Sequence, residues 1–159
     1  MDKVTHGTFT VEREFPYPVE TVWSAWATPE KKEKWFVQEP GFATTNHYTC
    51  DFRVGGKEHV DATLFNGKPL VVDTVFGDIV PMERIVATYE VLVNNRRISV
   101  SVWSMQLFPT AAGTRLVTTE AGAFLDGLDT NEDRIKGTEG DLNMLGKFLA
   151  EENAPVAVG

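Results

Sequence analysis

NEDRIKGTEGDLNMLGKFLAE, residues 131–151, is the stretch whose reading decides the fold. At about 100° per residue, Ile135, Leu142, Leu145 and Leu149, flanked by Met144 and Phe148, cover more than half of a helical circumference, while Lys136, Glu139 and Lys147 group on one side. A helix lying on a flat sheet needs a narrower apolar arc. The width predicts a long helix partly surrounded by its partner, and Asp129 with Glu132 predicts a capping box at its start. Gly137, Gly140 and Gly146 lie inside it. Each costs roughly 1 kcal/mol relative to Ala, so they mark close backbone approach or a bend.

Working outward, the segments before this helix repeat every two residues. Tyr48, Cys50, Phe52 and Val54 alternate with His47, Thr49, Asp51 and Arg53; after the Gly55-Gly56 turn, Val60, Ala62 and Leu64 alternate with His59, Asp61 and Thr63. Asn66-Gly67, Pro81, Asn94-Asn95 and Ala112-Gly113 then bound LVVDTVFGDIVP, ERIVATYEVLV, RRISVSVWSMQLF and TRLVTTEAGAF. A first strand from Thr8 to Phe15 puts Phe9, Val11, Arg13 and Phe15 on one face. Between it and the hairpin, Val19, Val22, Trp23, Trp26 and Ala27 keep helical spacing with Pro18 at N1, and Thr28-Pro29 restarts a second short helix carrying Trp35 and Phe36. The fold class expected is α+β: about six to seven antiparallel strands in a curved sheet around the last helix, with two short helices after strand 1. One domain spans residues 1–159, ordered over about 8–151, with 1–7 and 152–159 frayed.

Composition excludes several functions. A formal charge of −8 opposes a nucleic-acid partner and docking on anionic lipid. One cysteine, Cys50, rules out an internal disulfide and a cysteine-rich metal site, and it alternates with Phe52 as a small packing residue. The opening MDKVTHGTFT has no apolar signal region and no run is long enough to span a membrane, so a cytoplasmic protein is expected. No metal is expected. His6, His47 and His59 lack ligand spacing, and Asp126, Asp129, Glu132 and Asp133 fail the calcium-loop register and read as helix-capping carboxylates. No cofactor motif is present; the glycine pairs are turns.

FTVEREFPYPVETVWSAWATPEKKEKWF, DFRVGGKE, DIVPMERIVATY, RRISVSV, GTRLVTTEAGAFLDG and DLNMLGKFL together resemble the START-like, helix-grip superfamily (SRPBCC), in the branch of heat-shock protein 90 ATPase activator homologues. The resemblance implies an antiparallel sheet gripping a C-terminal helix around an apolar cavity. Relatives in the wider superfamily bind lipids, cyclise aromatic polyketides or assist a chaperone. The block usually written TEQGAF reads TEAGAF here, so Ala121 removes any polar role at that position.

The expected ligand is a small hydrophobic or amphipathic molecule, and the residues expected to line its cavity are Arg13, Trp35, Phe36, Phe52, Phe76, Tyr89, Trp103, Met105, Glu120, Phe124, Leu145 and Phe148. Two are charged. Arg13 and Glu120 fall on apolar faces, where a charge is tolerated if paired, hydrated or in contact with a ligand. One reading is an ion pair between them or with Glu90; the other is contact with a ligand's polar end, and an unpaired Glu120 would be a general acid or base in a cyclase-like enzyme. Burying an indole is worth roughly 4 to 6 kcal/mol. Trp23 and Trp26 therefore read as core, Trp35 and Phe36 as a cavity rim, Trp103 beside Met105 as wall, and the intervening KKEK as a solvated face. An edge strand would permit a homodimer. A chaperone partner is not expected, since the eukaryotic activators carry a further domain beyond this length.

Overall fold

The computed structural model describes residues 3–154. Seven strands, β1 (Val4–Phe15), β2 (Ala43–Cys50), β3 (Lys57–Leu64), β4 (Pro69–Val80), β5 (Arg84–Val93), β6 (Arg96–Thr110) and β7 (Gly113–Leu125), form one antiparallel sheet in the order β1-β7-β6-β5-β4-β3-β2. Helices α1 (Val19–Ala27) and α2 (Pro29–Lys32) follow β1, and α3 (Asn131–Glu152) closes the chain. The expected α+β architecture is present. Consecutive hairpins build the sheet from β2 to β7, and β1 closes onto β7 from the other end of the sequence. Register shifts at Thr45/His47, Phe76/Asp78 and Val91/Leu92 bend the sheet, because an extra residue on one strand increases local twist and curvature.

Local chemistry moved several boundaries. Strand β1 starts at Val4, opposite Leu125, so residues 4–7 are paired rather than frayed, and α3 reaches Glu152. Residues 1, 2 and 155–159, also expected to fray, lie outside the described residues. Pro18 is the N-cap of α1 rather than its first helical residue. Helix α2 ends at Lys32, which leaves Trp35 and Phe36 in the turns that follow. The α3 cap is Thr130, whose hydroxyl accepts from the Asp133 amide at 3.1 Å; the expected Asp129/Glu132 box is replaced because Asp129 turns toward Arg134.

Two apolar clusters fill the interior. The larger joins α1, the C-terminal half of α3 and β1, β6 and β7, around Phe15, Trp23, Trp26, Trp35, Leu116, Leu145 and Leu149. The smaller joins Val37, Ala43, Val60, Ala62, Leu70, Val72 and Val91. Trp26 meets Trp35 edge-on at 4.8 Å and stacks on Trp103 at 5.5 Å, each pair adding about 0.5–1.5 kcal/mol beyond area burial. Helix α3 is held unevenly. Its buried residues, Gly140, Leu142, Leu145, Phe148 and Leu149, lie from about its middle onward, whereas its first turns meet the sheet mainly through the polar side chains of Asn131 and Arg134.

Candidate functional site: a cavity with two polar ends

Beside residues 133–142 of α3 lies a cavity of about 250 Å³, lined by members of both clusters. Its wall is mostly apolar: Phe36, Val37, Leu70, Val72, Phe76, Val91 and Trp103 come from the sheet and the 36–42 loop, and Leu142 from α3. Gly137 also lines it, and a Cβ there would meet nothing within 4 Å. Gly140, one turn on, is different. Its missing Cβ makes room for the Glu39 carboxylate, whose Oε2 sits 1.6 Å from where that atom would be. Close approach explains one glycine and open space the other.

At one end of the cavity a buried network surrounds Arg134. Its Nη1 donates to Glu120 Oε2 at 3.1 Å and to the Tyr89 hydroxyl at 2.7 Å; its Nη2 donates to Ser99 Oγ and to Asp129 Oδ2, both at 2.6 Å. The Tyr89 hydroxyl donates in turn to Glu120 Oε1 at 2.5 Å. Glu120 is only 2% exposed, and burial raises its carboxyl above the ordinary range against the opposing pull of Arg134 and of Tyr89. Burial lowers the Arg134 guanidinium, but Tyr89, Glu120 and Asp129 outweigh it and hold the proton on. Each charged group here has a partner.

At the other end Lys32 is buried rather than solvated, at 4% exposure, with Nζ 2.7 Å from Glu58 Oε2 and 4.4 Å from the Phe36 ring centroid. The Tyr48 hydroxyl donates to the same Glu58 oxygen at 2.6 Å. Burial, then Glu58, holds the Tyr48 hydroxyl firmly protonated and pushes the Cys50 thiol up to about 11. Asp141, on the cavity face of α3, accepts one bond, from the Val37 amide to Oδ1 at 3.1 Å. Its Oδ2 accepts none among the described residues. Burial pushes Asp141 up to about 7; the Val37 amide and Lys32 oppose this, while Glu39 and Glu58 add to it. Val37 adopts a φ of 56°, unusual for a β-branched residue, in the turn that aims its amide at that carboxylate.

Of the residues expected to line the cavity, Phe36, Phe76, Tyr89, Trp103 and Glu120 do so. Trp35 does not: it is fully buried, and its indole N–H donates to the Ala25 carbonyl at 3.1 Å, making it core rather than rim. Phe52 packs edge-on against Trp23 and Phe76 outside the cavity. Met105, Leu145 and Phe148 fill the larger cluster, where the grip on α3 is tight, and buried Phe124 lies 5.9 Å from the Arg134 guanidinium. Arg13 is half-buried, lies outside the cavity, and among the described residues reaches only the Glu12 carbonyl at 3.3 Å; its expected ion pair with Glu120 or Glu90 is replaced by Arg134–Glu120 and Arg97–Glu90 pairs. Strand β1 is an edge, so a long side chain can bend around it to water. His59, expected on a wet face, bridges Asp61 and Asp73 at 3.0 and 2.5 Å, which raises its pKa, mainly through Asp73. Ala121 is exposed, so the departure from TEQGAF falls outside the cavity.

Lys32, Glu58, Arg134 and Asp141 were absent from that expectation. Glu58 keeps step with Val60, Ala62 and Leu64, the same parity signal that singles out Glu120. Arg134, Thr138, Asp141 and Leu142 share a helix face, but a charge beside leucines in a wide apolar arc is easily assigned to the solvated side.

The same architecture recurs in known proteins. Residues 16–152 match the model of the family described as activator of Hsp90 ATPase homolog 1-like protein. The chain belongs to this family. An uncharacterized Rhizobium leguminosarum protein is 35% identical, over 93% of this chain and 97% of that one, with a TM-score of 0.88. The Mll3558 protein of Rhizobium loti is 37% identical, over 92% and 99% of the two chains, with a TM-score of 0.83. An AHSA1-like protein of Aeromonas hydrophila, at 16% identity over 96% and 99%, shares the fold with a TM-score of 0.71. No curated protein matches. The activator-homolog match leaves out β1, the strand that carries Arg13. No helix among the described residues is long and apolar enough to cross a membrane. Among the described residues no group of His, Cys, Asp and Glu is placed to hold a metal ion.

Proposed function

We propose that this activator-homolog-like domain binds a small hydrophobic or amphipathic molecule in the cavity between the sheet and α3. The observation that carries the reading is the hollow between the sheet and α3: a mainly apolar space of about 250 Å³, with polar groups gathered at its two ends, in a chain this short. That volume lies just below the roughly 300–1,000 Å³ range of drug-sized sites, which suits a small ligand, and the pattern of oily walls with a few placed polar groups is theirs. Gly137 supports it further. Alanine there would favour the helix by roughly 1 kcal/mol and touch nothing, so glycine leaves room rather than relieving a clash.

The cyclase-like alternative has less support, because both Glu120 oxygens are occupied by Tyr89 and Arg134 and neither is poised to take a substrate proton. The experiment is a titration with the neutral dye N-phenyl-1-naphthylamine. One saturable site is expected in the wild type, lost in Gly137→Phe with the thermal transition retained; no saturable site in the wild type would overturn the reading.

A further inference from the structure

We infer that the cavity selects a cationic amphiphile, an apolar body carrying a protonated amine, and that Asp141 supplies its counter-charge. This rests on the binding reading above and names the ligand class for the same site. The groups lining the cavity include two cations, Lys32 and Arg134, against five carboxylates, Glu58, Glu120, Asp129, Asp133 and Asp141. Neither cation is available to an anionic head group. Lys32 is held by Glu58 at 2.7 Å, and Arg134 divides its donors among Glu120, Asp129, Tyr89 and Ser99. A carboxylate or phosphate ligand would have to displace one of those partners and leave it buried without a charge, which is costly.

An ammonium meets the opposite situation. Asp141 faces the cavity with one oxygen bonded to the Val37 amide and the other without a donor among the described residues. The charged groups that act on it from neighbouring elements are Lys32 of α2, Glu39 of the 36–42 loop and Glu58 of β3, and on α3 itself Asp133 and Arg134 also line the cavity. Around Asp141, then, one cation stands against three carboxylates counting its own. A ligand cation at Oδ2 would complete that set with a charge-assisted bond, and the rings of Phe36, Trp103 and Tyr89 supply faces for its apolar body. Proton linkage agrees with the geometry: a carboxyl poised near 7 gives up its proton when an ammonium binds beside it, so amine affinity rises with pH through that region.

The test is competition against N-phenyl-1-naphthylamine by octylammonium, octanol and octanoate at pH 8, three ligands of one length and different charge. The expected order is octylammonium, octanol, octanoate, with at least a tenfold spread between the ends. Asp141→Asn should collapse that spread to within about threefold. Calorimetry of the wild type at pH 7 in buffers of different ionisation enthalpy gives a check that needs no variant: octylammonium binding should release up to about half a proton, because the carboxyl is about half protonated there, and octanol binding should release none. If octanoate competes as well as octylammonium, or if the dye binds and no octyl compound displaces it, the charge assignment is overturned while the cavity stands. If the dye does not bind, the underlying reading fails too.

Discussion

The two ends of the cavity contain the same kinds of groups, a buried cation, a buried carboxylate and a tyrosine hydroxyl, yet they are finished differently. Around Arg134 the planar guanidinium spreads its donors over Glu120, Tyr89, Ser99 and Asp129, and little bonding capacity is left over. Around Lys32 the ammonium is a point charge taken up by Glu58, and Asp141 is left with a single backbone donor. A network whose charged members are all paired rigidifies what it joins, here β5, β6, β7 and the start of α3. An incomplete one stores unsatisfied polarity where a ligand can use it. The Arg134 end is therefore the structural anchor of α3, and the Asp141 end is where recognition belongs.

The sharpest way to break this contrast is to remove each cation. Arg134→Met leaves Glu120 buried and without its counter-charge, which should cost about 3–5 kcal/mol in urea denaturation. Lys32→Met strands Glu58 in the same way, with a loss in the same range. A change below 1 kcal/mol in the Arg134 variant would mean that the network is not the anchor of α3.

Asp141→Asn should act in the opposite direction. The folded carboxyl releases its proton near pH 7 and the unfolded one near pH 3.9, so between these values the folded chain holds one proton more. Stability then falls as pH rises from about 4 to 7 and levels off above. Asparagine keeps the Val37 acceptor but cannot ionise, so the variant should gain roughly 1–3 kcal/mol at pH 8 and little at pH 4.5. An equal effect at both pH values would remove Asp141 from its special place.

The smallest effect separates the two glycines. Gly137→Ala should stabilise α3 by up to about 1 kcal/mol, because its Cβ projects into open cavity. Gly140→Ala should gain less or lose, since the Glu39 carboxylate must move to admit the methyl group. Thermal unfolding of the two variants side by side checks the order.

The fold was legible in the sequence because periodicity reports faces: the alternation around Tyr48–Leu64 and the wide arc of α3 fixed a bent sheet and a helix it partly encloses. The cavity wall was legible in part. Alternation identifies Phe76, Tyr89, Trp103 and Glu120, but pattern alone does not say how far the hollow extends, so it also admits Met105, Leu145 and Phe148, which fill the larger cluster instead. The charged ends were least legible. Whether Arg13 or Arg134 meets Glu120 is a tertiary fact: β1 lies beside β7 at the sheet edge, whereas α3 packs on the sheet and sends Arg134 to Glu120. Lys32 reads as solvated beside the exposed Glu33 and Lys34; only its contact with Glu58 of β3 reveals it as the lysine of that run turned inward.

The most direct measurement is the titration of the Asp141 side-chain carboxyl by carbon-detected NMR, without and with saturating octylammonium. A midpoint near 7 is expected in the ligand-free protein, falling by a unit or more when the amine is bound. A midpoint near the ordinary aspartate value of about 3.9 that octylammonium leaves unmoved would contradict that expectation.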